Sequence, residues 1–118
     1  MRRKLFVSQP MRGKTKEAIK EERKIAVSAA EKFLGEKLDV IDSILKDHVP
    51  HEPIKALGKS IILMGDADVV CFADGWKMAR GCQVEKEVAE SYGLLSIEVT
   101  GDGSCVFCVD AKRQLPHG

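Results

Sequence analysis

The sequence predicts an α/β fold: a mostly parallel sheet with strand order 2-1-3-4, helices on both faces, and an antiparallel strand at the C-terminal edge. Three observations carry this. Short apolar runs at residues 5–7, 38–41, 68–73 and 94–99 alternate with stretches of helical periodicity, the pattern of βαβ units. The fourth run is followed by the turn cluster Thr100-Gly101-Asp102-Gly103-Ser104 and a further β-rich run at 106–109, so the chain returns antiparallel beside the fourth strand. At 118 residues, the chain suits one domain over 1–118 whose core needs neither disulfide nor metal.

Each element has a local reason. Leu5-Phe6-Val7 is a short buried-strand signal that stops at the loop 8–13. Thr15 is a plausible N-cap, Ile19, Ala26, Ala30 and Phe33 recur at helical spacing, and Gly35 is a C-cap signal. Leu38-Asp39-Val40-Ile41 reads as the second strand. The stretch 46–52, with two histidines and Pro50, reads as a loop. Pro53 suits the first turn of a helix with the stripe Ile54, Leu57, Ile61 and Met64. Asp68-Val69-Val70-Cys71-Phe72-Ala73 is the clearest buried strand. A loop over 74–78 leads to a helix from about Ala79 to Tyr92, ended by Gly93. Residues 112–118 read as a frayed end.

Composition narrows the function classes. Net charge is +1, which gives no global field favouring nucleic acid or membrane. No apolar stretch approaches a membrane span, and the run after Met1-Arg2-Arg3-Lys4 is too short for a signal peptide, so a cytoplasmic protein is expected. Cys71 reads as a small buried hydrophobe, and Cys105 and Cys108 read as unpaired strand thiols, since no second ligand pair completes a zinc site. His48, His51 and His117 lack ligand spacing; no metal and no cofactor is expected.

In such a sheet, ligands bind beyond the carboxyl ends of the strands, where the loops 8–14, 42–52, 74–82 and 100–104 lie. The first loop ends in Gly13-Lys14-Thr15, which invites a P-loop reading. Counting back, the first Walker glycine falls on Ser8, and few strands are available for a nucleoside-triphosphate fold. Asp74, after an apolar strand, is left to imitate a Walker-B aspartate. The broader reading is an anion cradle at a helix N-terminus, with Arg12 and Lys14 as cationic donors and Gly13 allowing close backbone approach. A solvated basic turn is the plainer alternative.

The second informative stretch is "DGWKMARGCQVEKEVAESYG", residues 74–93. Glu85 lies in the first turns of its helix, where the macrodipole favours a carboxylate, and Gly81 precedes it. Glu87 and Glu90 read as solvated. A glutamate in a first turn is by itself usually only a favourable charge.

Taken together, "SQPMRGK", "LGKSIILMGDADVVCF" and "WKMARGCQVEKEVA" resemble the nucleoside 2-deoxyribosyltransferase-like superfamily, over roughly residues 4–97 and in the same order. The similarity is greatest to a small branch found in phages and their bacterial hosts. The resemblance implies a flavodoxin-like three-layer sandwich and N-glycosidic chemistry on a (deoxy)nucleotide or nucleoside, as transferase or hydrolase. It makes Glu85 the nucleophile at C1′ and Gly81 the glycine of the segment leading to it. It makes Ser8, Gln9, Pro10, Met11, Arg12, Gly13 and Lys14 the loop that lines the sugar or binds its phosphate.

Relatives carry an aspartate on the helix before the third strand, for proton transfer. Here Ser60 stands at the comparable spacing, and a serine of ordinary pKa cannot act as that acid. Asp74 or Asp42 would have to substitute from neighbouring strand ends. Trp76 offers a face for a base, with Met11 or Met78 beside it, or else is a packing residue; Arg80 would pair with a phosphate or hold Glu85. The resemblance also implies a homo-oligomer, a dimer or larger. A nucleotide-binding module without catalysis, and a small P-loop NTPase, are the competing expectations.

Overall fold

The computed structural model describes residues 1–43 and 53–109. Five strands, β1 (Arg3–Ser8), β2 (Leu38–Val40), β3 (Val69–Phe72), β4 (Ser96–Val99) and β5 (Cys105–Val109), form one sheet in the order β2-β1-β3-β4-β5. The pairs β1–β2, β1–β3 and β3–β4 are parallel and β4–β5 is antiparallel. Three helices connect them: α1 (Lys16–Leu34), α2 (Pro53–Met64) and α3 (Arg80–Ser91). This is the flavodoxin-like architecture with the expected strand order.

Side-chain alternation along the strands divides the core in two. Leu5 and Val7 of β1, with Val69 and Cys71 of β3, face α1 and meet its Ala26 and Ala30. Phe6, Val70 and Phe72 face the opposite way and meet Met64 of α2 and Ala89 of α3. Both layers therefore follow from the period of two. Small residues at 26 and 30 let α1 lie close to the sheet, while Phe33 turns outward at 38% exposure and meets Phe107 of β5 in a tilted ring pair, centroids 5.0 Å apart.

Local chemistry sets the ends. Thr15 caps α1 by accepting from the Ala18 N–H at 3.1 Å. Gly35 closes it at φ +70°, its N–H donating to Glu31 O, a left-handed cap that costs glycine little. β2 is one residue shorter than expected; Ile41 lies past its end, although its N–H still donates to Leu5 O at 2.8 Å. The stretch expected as a loop over 74–78 contains a single 3-10 turn, Trp76–Met78, entered through Gly75 at φ +87°. The turn at 100–104 is closed by Asp102, which accepts from Ser104 and Thr100; these bonds hold its carboxyl down at about 2.

The loops after β1 and β3 lie against each other at the carboxyl edge. The Ala73 N–H donates to Ser8 O at 2.8 Å, and a Cβ on Gly75 would stand 3.8 Å from Pro10 Cγ. Cys71, Cys82, Cys105 and Cys108 are all free thiols, as expected for Cys71, Cys105 and Cys108. Among the described residues no helix is long and apolar enough to cross a membrane. Ser96 Oγ is buried without a hydrogen-bond partner among the described residues, and nothing in the structure explains it.

Candidate active site

The alternation that puts Phe6 toward α2 and α3 puts Ser8, two residues on, toward the same layer at the strand's carboxyl end. There it meets Glu85, which α3 turns inward one turn before Ala89. The Ser8 hydroxyl donates to Glu85 Oε1 at 2.6 Å, across 77 positions of sequence. The Ser60 hydroxyl, from α2, hydrogen-bonds to the same carboxyl. One residue from each of β1, α2 and α3 thus converges on one point.

The cluster is closed to water. Ser8 is 1% exposed and Glu85 6%. Burial pushes the Glu85 carboxyl above its ordinary range, because the charged form loses hydration, and the bonds from Ser8 and Ser60 pull it part of the way back. Cys82, one turn before Glu85, packs into the same place with its thiol hydrogen-bonded to Ser8. That thiol is raised to about 11: burial is the main cause, opposed by the bond with Ser8, helped by the nearby Glu85 charge and opposed weakly by Lys14. Cys82 is therefore a neutral thiol at physiological pH, not an activated nucleophile.

The loop 8–14 divides its residues. Gly13 sits at φ +77°, a conformation a side chain would strain. Lys14 is anchored, its Nζ 2.7 Å from Glu22 Oε2. Arg12 is exposed and, among the described residues, without an ion pair. Pro10 and Met11 are half-buried. Gln9 points the other way: it is buried, its Nε2 donates to Ile19 O at 3.0 Å, and its Oε1 accepts from Arg23 Nη1 at 3.2 Å.

On the second loop, Asp74, Arg80 and Gly81 are exposed. Trp76 is built into the packing. Its Nε1 donates to Glu98 Oε2 at 2.7 Å, its ring lies 5.4 Å from that of Phe72, and Lys86 Nζ stands 5.1 Å from its centroid. These contacts place the indole with β4 and α3 rather than with Ser8. Asp42 is exposed and acts electrostatically on Arg23. The rest of the loop 42–52, with His48 and His51, and the tail with His117, lie outside the described residues. Among the described residues no group of three or more His, Cys, Asp or Glu could hold a metal ion.

Sequence reading missed two participants. Cys82 carried the signal of standing three residues before Glu85 on one helix face, but nothing local marks what it touches. Arg23 looked like one more charge on α1. It instead ties the carboxyl ends of β1 and β2 together, donating to Gln9, to Ile41 O at 2.6 Å and to Ser43 Oγ at 2.9 Å. Burial lowers its pKa, with Asp42 opposing. Comparisons of the chain with family models, curated proteins and solved structures each find no match.

Proposed function

We propose that the chain cleaves or transfers the N-glycosidic bond of a (deoxy)nucleotide or nucleoside, as a member of the nucleoside 2-deoxyribosyltransferase-like superfamily that its motifs resemble. The observation that carries this reading is the Ser8–Glu85 contact. It joins the first and the last of the three stretches that bear the resemblance, at the sheet edge where α/β ligands bind. A carboxylate stripped of water is a stronger nucleophile than a solvated one, and Ser8, by holding Oε1, fixes its direction.

In the reaction, a Glu85 oxygen forms a bond to C1′ while the C1′–N bond breaks and its electron pair leaves with the base. Water or an acceptor base then displaces the glutamyl ester. Arg12 and the amides around Gly13 suit an anionic 5′ end. The departing base needs a proton. Neither the Ser60 hydroxyl nor the Cys82 thiol at about 11 is acidic enough to be a good donor. Bases that leave without enzymatic protonation, or through a donor on the substrate side, are therefore the better substrates.

The test is a panel of ribo- and deoxynucleosides and their monophosphates, with free base as the readout. Base release that is lost in Glu85→Gln supports the proposal. The lack of a second carboxyl against Glu85 among the described contacts favours one competing reading, a nucleotide-binding module without catalysis. Binding without release, unchanged by Glu85→Gln, selects that reading. Magnesium-dependent phosphate release from ATP would reject both.

A further inference from the structure

A groove of about 500 Å³ runs between α1 and β2, the outermost strand of the sheet on that side. It is lined by Lys20, Arg23, Lys24, Val27, Ser28 and Val40. The five α1 residues recur at i, i+3, i+4, i+7 and i+8, so they share one helix face. The floor is apolar: Val27 packs on the core beneath, and Val40, the last residue of β2, is 40% exposed. The walls are cationic. Lys20 and Lys24 are exposed and, among the described residues, pair with no carboxylate. Arg23 gives its N–H groups to Gln9 Oε1, Ile41 O and Ser43 Oγ, all neutral acceptors, so those bonds leave its charge uncancelled. Asp42 acts on Arg23 from a distance but does not line the groove, and Glu22 of the same helix is taken by Lys14.

We propose that this groove binds a small amphipathic organic anion: an apolar body of ring size carrying a carboxylate, sulfonate or phosphate. Size and charge fix the occupant. The volume falls in the range of roughly 300–1,000 Å³ typical of small-ligand sites. The two valines let an apolar body leave water, and three cations within two helical turns favour an anionic end. A bare inorganic anion would leave the valines wet, a neutral apolar molecule would leave the lysines unused, and a cation would be repelled. The groove lies on the α1 side of the sheet, whereas Ser8 and Glu85 meet on the α2/α3 side. It is therefore a second site, independent of the glycosidic reading.

Fluorescence titration of the full chain with anilinonaphthalene sulfonate tests the site, beside phenylnaphthylamine, which keeps the two aromatic parts and lacks the sulfonate. Phenylnaphthylamine should bind at least ~10-fold more weakly. Lys20→Glu combined with Lys24→Glu should weaken the sulfonate probe by at least ~10-fold with an unchanged far-UV circular dichroism spectrum, since both side chains are exposed. Ser28→Tyr, which fills the groove and keeps its cations, should weaken it as much. Lys32→Glu, a charge reversal farther along α1 and outside the groove, should leave it unchanged. Phenyl phosphate should displace the probe at concentrations where inorganic phosphate does not. No binding at millimolar probe overturns the proposal. Equal affinity for the two probes does so too, as does a loss on Lys32→Glu equal to that of the double variant. Binding that survives both groove variants also overturns it, and would place the probe on another exposed apolar patch such as Ile54 and Ile62.

Discussion

Replacing Ser8 by alanine tests whether Glu85 is held as a buried carboxylate. The substitution deletes one oxygen and leaves the strand's backbone ladder intact, so the change is confined to the 2.6 Å bond and the thiol contact. A hydrogen bond to a charged group contributes ~1.5–3 kcal/mol, and with Glu85 only 6% exposed no water replaces the lost donor, so ~2 kcal/mol is expected at pH 8. Melting entropy near ~2.1 cal/mol/K per residue gives ~0.25 kcal/mol/K for 118 residues, so Tm falls by ~8 °C. In a Glu85→Gln background the side-chain carbonyl still accepts from Ser8, but as a neutral bond of ~1 kcal/mol, and the same substitution should lower Tm by only ~4 °C. Circular dichroism melts of the four proteins close a double-mutant cycle. An equal drop in both backgrounds would mean that Ser8 does not sense the charge of Glu85, and the account of the site would fail.

Three further outcomes follow from the same contacts. Because burial raises the Glu85 pKa in the fold, the native state holds its proton at pH values where the unfolded chain has lost it; stability therefore falls as pH rises from about 4.5 through the folded pKa, and Glu85→Gln should flatten that fall and melt higher than wild type at pH 8. A variant whose melting curve keeps the same pH slope would contradict this. Arg23→Leu strands the Ile41 carbonyl and Gln9, at a cost of about 3 kcal/mol in urea unfolding, and Arg23→Lys should recover only part because one ammonium cannot span the three acceptors. Full recovery by lysine would show that charge, not the fork, matters there. Native Cys82, with its thiol near 11, should react with a disulfide reagent at pH 8 at least ~100-fold more slowly than in the urea-unfolded chain; rapid labelling of the folded protein at that position would show the cluster to be open.

The fold was legible because its signals are local. Thr15 and Gly35 bracket α1 by capping chemistry that needs only neighbouring backbone, and apolar runs of strand length between helical periods admit few topologies. What was left open or missed is equally physical. Trp76 read either as a face for a base or as a packing residue, and its partners, Phe72, Lys86 and Glu98, which decide for packing, come from β3, α3 and β4. Gln9 read as part of the loop's ligand set, yet alternation turns it toward α1, opposite to Ser8.

By itself the sequence determined the order of elements and the parallel sheet with its antiparallel edge, since periodicity and caps are properties of neighbours along the chain; Glu85 stood out only through the family resemblance of its motif. Only the tertiary structure decided what Glu85 is. It brought Ser8 from 77 positions away, added Ser60 and Cys82, and removed the water. A glutamate in the second turn of a helix, left in water, is merely a favourable charge. The same carboxyl, desolvated between two hydroxyls and a neutral thiol, has its proton affinity and its direction set by groups that no local pattern connects to it.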